Sequence, residues 1–368
     1  MSEIKVNSIK GVNSTDAAIT INNSDGTCTA NITNNLSNRR LTINGDMKIA
    51  QRGTSSTVDG YATVDRFKST YSGQDEVITQ EQVDVASGTT PYSLGFRKAF
   101  KVTNGNQTSG AGASDIEILQ TKIEAQDIAN SGWNYTSSSS FITLSFWVKA
   151  SVAQSYTMRV QSQDGTRQNF PFETGSLTAD TWTKVTKTIP GNSNLQFDNN
   201  NEEGLLIEWL LFRGTNYTDN SIANDTWAAY VGSTRSRPVT STWWTTNDAT
   251  FEITGVQLEV GSVATDFEHR SFGQELELCK RYFYKWNTGG SSYYMYSGAY
   301  TGTASSAFFD YTFSPSMRAT PTASTPTTAN TNNVSWSIYS DRALFIGSST
   351  SSGSGSRITS SIDFSAEL

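Results

Sequence analysis

The sequence predicts an all-β protein, a jelly-roll β-sandwich with a short N-terminal segment and a smaller C-terminal β-domain. Three observations predict it. Aromatic residues make up 11% of the chain and charged residues only 17%, the reverse of a disordered composition. Runs rich in Val, Ile, Thr, Phe and Trp alternate with polar residues at the strand period of two. Turn clusters such as Asp164-Gly165 and Pro190-Gly191-Asn192 separate these runs. Such punctuation over roughly 230 residues suits a sandwich or jelly roll.

Residues 1–38 are short alternations broken by Asn, Gly and Asp. They hold too few apolar side chains to bury a core alone. The expectation is an attachment and oligomerisation segment that pairs with copies of itself or with another protein. Residues 39–273 carry strand-like runs at 41–50, 62–70, 76–83 and 94–102, then at 155–163, 182–189, 204–212 and 250–260. Residues 116–129 mix periods and predict a strand followed by a short helix. Residues 141–150, Phe-Ile-Thr-Leu-Ser-Phe-Trp-Val-Lys-Ala, are β-type throughout. Residues 274–286 form a hinge in the pattern, helical in the first half and strand-like in the second. The C-terminal β-domain, 274–368, expected to carry the receptor-binding surface, adds runs at 292–300, 307–313, 335–339, 343–346 and 357–364. Its stretches 320–333 and 348–356 are low in complexity and predict mobile loops.

Several classes of function drop out. A net charge of -7 with no basic block argues against a nucleic-acid partner. No apolar run approaches the roughly 18–20 residues of a membrane span. There is one histidine, His269, and any Ser-His-Asp triad or multi-His metal site would rest on it. The expectation for His269 is a hydrogen bond fixing the exit of the sandwich. Cys28 and Cys279 fall in different modules, so no disulfide between them is expected. The opening Met-Ser-Glu-Ile-Lys-Val lacks the apolar core of a signal peptide. Glu252 and Glu259 are an odd number of positions apart, so ideal alternation places them on opposite faces. That argues against a glycosidase pair, and the chain is not expected to be an enzyme.

The aromatics carry the binding argument. Trp147 and Trp209 lie inside apolar runs and read as core. Trp227, Trp243 and Trp244 sit among Asn, Thr and Ser and read as loop residues. Tyr293, Tyr294, Tyr296 and Tyr300 follow a Gly-Gly-Ser-Ser turn. On one strand, Tyr294, Tyr296 and Tyr300 would share a face. Sugar rings stack on exposed aromatic faces while neighbouring amides and hydroxyls take their hydroxyls. Tyr294, Tyr296, Tyr300, Trp243 and Trp244 are therefore the candidate glycan ligands. The alternative is that they pack against neighbouring subunits.

Residues 41–53, Leu-Thr-Ile-Asn-Gly-Asp-Met-Lys-Ile-Ala-Gln-Arg-Gly, are followed by Thr63-Val64-Asp65-Arg66-Phe67. Then come Leu144-Ser145-Phe146-Trp147-Val148-Lys149-Ala150 and the run Phe251-Glu252-Ile253-Thr254-Gly255-Val256-Gln257-Leu258-Glu259-Val260-Gly261. Phe267-Glu268-His269-Arg270, the stretch 275–285 and the closing Phe364-Ser365-Ala366-Glu367-Leu368 complete the set. In this order the blocks resemble bacteriophage tail-fibre and minor structural proteins, marine phages included. The resemblance runs from about residue 39 to 286, with a weaker echo to the end. It implies a virion protein made in the host cytoplasm, a homotrimer attached to the phage tail or head through 1–38, and recognition of a host-surface polysaccharide. A looser likeness to carbohydrate-binding modules accompanies it. Similarity to calcium-bearing jelly rolls implies Asp46 and Glu252 as ligands of a structural calcium, with no cofactor otherwise required. The alternatives are a head fibre or tail adaptor without receptor binding, or a polysaccharide depolymerase.

Overall fold

The computed structural model describes residues 6–10, 17–21, 28–30, 38–287, 292–294, 296–297, 306–329, 331–349 and 357–368. At the N-terminus β1 (Ser8–Lys10), β2 (Ala17–Ile21) and β3 (Cys28–Ala30) form a three-stranded antiparallel sheet. Val6 and Ile9 stay exposed there, as a segment too poor in apolar residues for its own core requires.

The sandwich begins with β4 (Ser55–Ser56), β5 (Phe67–Ser72) and β6 (Thr79–Asp84), then the short helix α1 (Thr90–Ser93) and β7 (Lys98–Thr103). Next come β8 (Ile116–Glu124), α2 (Ala125–Ala129), β9 (Phe141–Ala150), β10 (Ser155–Ser162) and β11 (Gln168–Ser176). The predicted strand-then-helix at 116–129 is β8 and α2. β12 (Thr183–Pro190), β13 (Glu203–Arg213), β14 (Ala228–Ala229), the helical turn α3 (Thr242–Thr245) and β15 (Thr250–Val260) finish it. The strands make two six-stranded sheets, ordered β14-β11-β10-β13-β8-β5 and β12-β9-β15-β7-β6-β4. This is the predicted antiparallel β-sandwich.

Alternation decides what each sheet buries. Ile142, Leu144, Phe146 and Val148 of β9 point inward, as do Leu205, Ile207 and Trp209 of β13. Burying each such side chain contributes about 1.5–3 kcal/mol. Trp209 lies 6.3 Å from Phe67 and 5.6 Å from Phe146 between ring centroids. Trp147 lies between two inward residues of β9 and so faces out, contrary to the core position expected for it. There it joins a satellite cluster with Phe96, Trp182 and Phe267.

One bulge corrects a second expectation. β15 carries an extra residue against β9 between Thr254 and Gln257. Gly255 there has φ +64°, and an extra residue reverses the alternation beyond it. Glu252 pairs with Lys149 and Glu259 with Thr143. These partners lie an even number of positions apart, so the two glutamates share the outer face.

α4 (Phe272–Lys280) starts with a Ser271/Gln274 capping box, worth about 1 kcal/mol at the cap. β16 (Phe283–Trp286) follows, so the hinge is helix then strand, as predicted. The C-terminal domain continues with β17 (Tyr293–Tyr294), β18 (Tyr296–Ser297), β19 (Ser306–Thr312), β20 (Thr322–Ala323) and β21 (Thr328–Ala329). β22 (Thr331–Ile338), β23 (Arg342–Ser349), β24 (Arg357–Ile358) and β25 (Ile362–Ser365) complete it. Its sheets are β16-β25-β20, β17-β24-β21 and β18-β19-β23-β22. Trp286, Phe313, Phe345, Ile362 and Phe364 form a separate core. The stretch 320–333, expected to be a loop, supplies β20, β21 and the start of β22. Its Thr residues satisfy the backbone by pairing with β24 and β25. Of the second expected loop, 348–349 end β23 and 350–356 lie outside the described residues.

Candidate functional site

Of the stretches that carry the phage resemblance, residues 41–53, 63–67, 267–270, 275–285 and 364–368 meet at the junction between the sandwich and the C-terminal domain, while 144–150 stays inside the sandwich as part of β9. Asn44, at φ +57°, donates from Nδ2 to the carbonyls of Ile49 and Asp65, both at 2.8 Å. Glu275 of α4 accepts from the Asn44 backbone and from the buried Arg40. Glu268 accepts from the backbone N–H groups of Asn38, Arg39 and Arg40 at 2.6–2.9 Å. Arg52 and Arg66 both pair with Glu367 and lie 3.5 Å from the ring centroids of Phe283 and Tyr282. Arg281 forks onto Glu124 at 2.7 and 2.8 Å. Burial pushes the Asp65 carboxyl up to about 6 and the free Cys279 thiol well up. An open groove of about 1610 Å³ runs along this junction. Its Arg40, Glu268 and Arg270 are already committed to one another and to α4. The motif residues thus build a lock between domains.

The structure moves several predicted ligands. Trp243 and Trp244, expected in exposed loops, are fully buried in α3. Their indole N–H groups donate to Thr250 O at 3.2 Å and Gly110 O at 2.9 Å, and Trp244 stacks on Phe212 at 5.3 Å. The polar neighbours that suggested a loop are the exposed side of that single turn. Tyr294 and Tyr296 belong to different sheets, pairing with β24 and β19 respectively, so a single strand's period does not relate them. Their side chains, and Tyr300 entirely, lie outside the described residues. Asp46 sits 2.6 Å from Lys48 Nζ and Glu252 2.9 Å from Lys149 Nζ. Each carboxylate thus has a lysine partner. Among the described residues no group of three or more His, Cys, Asp or Glu is placed to hold a metal ion. A ring nitrogen of His269 lies 2.9 Å from Leu94 O. The ring packs between Phe96 and Phe267, and so ties the exit of the sandwich to the segment after α1.

A cleft at one end of the sandwich has binding chemistry. It encloses about 400 Å³ and is lined by Thr166, Gln168, Asn194, Gln196 and Trp227 with the two alanines of β14. Pairing of β14 with Gln168 and Asn169 of β11 closes one wall. Trp227 is 8% exposed; its indole N–H donates to Pro190 O at 2.7 Å and its ring meets Phe170 at 5.2 Å. Gln168 is held by donation to Thr166 O at 2.9 Å. Gln196 and Asn194 remain exposed. An amide offers donors and acceptors without charge, and a fixed indole offers a flat apolar wall. Trp227 stood out in the sequence as a tryptophan among polar residues. The amides carry no sequence signal, because Gln168 opens β11 while Asn194 and Gln196 lie on the loop between β12 and β13.

The fold and this cleft define an antiparallel β-sandwich with an uncharged end pocket sized for a small polar ligand. Solved structures similar to the chain include a domain of tailspike protein 4 from bacteriophage CBA120, at 10% identity and TM-score 0.32, matching 60% of this chain and 21% of that one. A family 4 carbohydrate-binding module is similar at 13% identity and TM-score 0.30, over 59% of this chain and 98% of that one. The N-terminal cellulose-binding domain of Cellulomonas fimi β-1,4-glucanase C is similar at 12% identity and TM-score 0.27, over 58% and 97%. The chain thus spans about a fifth of the tailspike domain's length. No protein-family model and no curated protein matches the sequence.

Proposed function

We propose that the chain is a fibre subunit of a bacteriophage particle that recognises a host-surface polysaccharide through the end cleft of its sandwich. The observation that carries the glycan reading is the convergence of Gln168, Asn194 and Gln196 on the Trp227 wall. Uncharged amides beside an indole suit the hydroxyls and C–H faces of a sugar better than a charged or purely apolar ligand. The phage assignment rests on the ordered sequence blocks. In this reading β1–β3 attach the subunit to the particle, and the fibre is a homotrimer. Three linked sites turn a weak single contact into useful avidity, since later contacts are intramolecular. No catalytic step is assigned.

The test is binding of the full chain to envelope polysaccharide from a host strain. Replacing Asn194 and Gln196 together by Ala should weaken binding at least about tenfold, the worth of about 1.4 kcal/mol, and leave the melting temperature unchanged. Unchanged binding would remove the cleft from the reading. A chain that enters particles but binds no host polysaccharide would leave a purely structural fibre or adaptor.

A further inference from the structure

Residues 214–241 form a strap that adds β14 to the edge of the sheet β14-β11-β10-β13-β8-β5 and lays Tyr230 over Arg159 of β10 and Arg235 against Tyr217 and Tyr230. Its regular structure is limited to one 3₁₀ turn, Thr215–Tyr217, and β14. Backbone bonds hold it down, from Tyr230 N to Arg167 O at 2.8 Å and from Asp225 N to Pro171 O at 2.8 Å. The Asn169 amide also donates to Arg235 O at 2.8 Å.

Beneath the strap lies a charge cluster that does not balance. Glu208 of β13 accepts on Oε2 from Arg159 Nε at 2.6 Å and from Arg213 Nη2 at 3.0 Å. Its other oxygen accepts from Gln120 at 2.5 Å. The Glu208 carboxylate is therefore saturated. Burial alone would raise its pKa, yet Arg159 and Arg213 together hold it down to about 2. The Arg213 side chain has no exposed surface, and its Nε and Nη1 have no hydrogen-bond partner. Arg235 of the strap adds a third guanidinium, 4.8 Å from the ring of Tyr217 and 5.8 Å from that of Tyr230. Arg159 lies 5.5 Å from the Tyr230 ring. Burial first, then the charges of Arg159 and Arg235, pull the Arg213 pKa down to about 10 against the pull of Glu208. Ser236 Oγ, also buried, lacks a partner as well. Beside the Glu208 carboxylate that already pairs with Arg213 Nη2, the two remaining buried N–H groups still call for an acceptor.

We propose that this cluster is an oxyanion site, completed by the carboxylate of an acidic sugar. Guanidinium donors match the planar oxygens of a carboxylate, and the half-buried Tyr217 and Tyr230 would flank the attached ring. This deepens the glycan reading above, on which the sugar assignment rests. It also gives an acidic protein a local cationic seat on an anionic envelope. The oxyanion chemistry is shared with free inorganic anions, so the test separates the two sources.

The experiment titrates the full chain with galacturonate, galactose and sulfate by calorimetry. The wild type should bind galacturonate through this cluster, and galactose should not reproduce that binding. Arg213→Lys should weaken galacturonate at least tenfold. Glu208→Gln, which removes the competing carboxylate, should strengthen it. Arg235→Gln, on the half-exposed strap, should weaken it with little effect on folding and stands in if Arg213→Lys fails to fold. Sulfate bound through the same residues with no response to galacturonate would overturn the sugar assignment. No anion binding, or binding that none of the variants alters, would overturn the site. If galacturonate binds as expected while the host polysaccharide does not, the site stands and the host-recognition reading alone fails.

Discussion

Glu117 shows how a single residue carries a bulge's consequence. β13 holds an extra residue against β8 between Leu210 and Phe212. That irregularity points both Leu211 and Phe212 into the core, and Phe212 pairs with Glu117. The Glu117 side chain is fully buried, with Oε1 accepting from Ser69 at 2.8 Å and Oε2 unpartnered. Burial raises its pKa well above the usual carboxylate value. The folded protein therefore keeps a proton that the unfolded chain releases above about pH 4.5. The unfolded state then binds fewer protons, so stability falls as pH rises through that window. The slope is at most about 1.4 kcal/mol per pH unit from this one group. Glu117→Gln should remove that part of the pH dependence, measured by urea unfolding from pH 4 to 7. Parallel stability–pH curves for the two proteins would show Glu117 to be ionised when folded.

At the scale of an element, β15 is set by its bulge. Gly255 adopts φ +64°, and a Cβ there would sit 2.7 Å from the Phe96 ring. The same ring packs against Phe267 and His269, so the bulge and the outer aromatic cluster depend on each other. Gly255→Ala should destabilise the sandwich by about 2–4 kcal/mol, adding a left-handed backbone penalty to overpacking. Chemical denaturation checks this, and a near-wild-type midpoint would mean that the bulge relaxes without cost. The glycine was visible in the sequence within the Thr254-Gly255-Val256 run. Its effect on which face Glu259 takes was not, because a strand's period of two assumes no inserted residue.

At the scale of the molecule, the last residues of the chain bind its first domain. Glu367 takes Arg52 and Arg66 from the sandwich, and Arg318 reaches Asn201 O at 2.7 Å. α4 adds Glu275 on Arg40. These contacts couple two otherwise separate cores. Glu367→Ala takes the shared carboxylate from two largely buried guanidiniums, leaving Arg52 with Asp65 at 3.9 Å and Arg66 with the Lys122 carbonyl, a loss of about 3–5 kcal/mol. Scanning calorimetry should show one transition for the wild type and two for the variant. A single transition at a similar temperature in the variant would assign the coupling to α4 instead.

The sequence by itself determined the β class, the strand-then-helix at 116–129, the helix-then-strand hinge and the core position of Trp209. Those follow from local periodicity, turn residues and composition, which neighbouring residues carry on their own. It also marked the stretches around Asn44, Arg52, Arg66, Glu268 and Glu275, though as a family signature without a role. Only the tertiary structure decided that these residues lock the domains together, because their partners lie more than 200 positions away, as with Arg40 and Glu275. It alone buried Trp243 and Trp244, since a polar neighbourhood along the chain says nothing about what packs across the sheet. It alone assembled Gln168, Asn194, Gln196 and Trp227 into a cleft and placed Arg213 beneath the strap. Sites of this kind are made by convergence of distant loops and strands, and convergence leaves no spacing in a sequence to read.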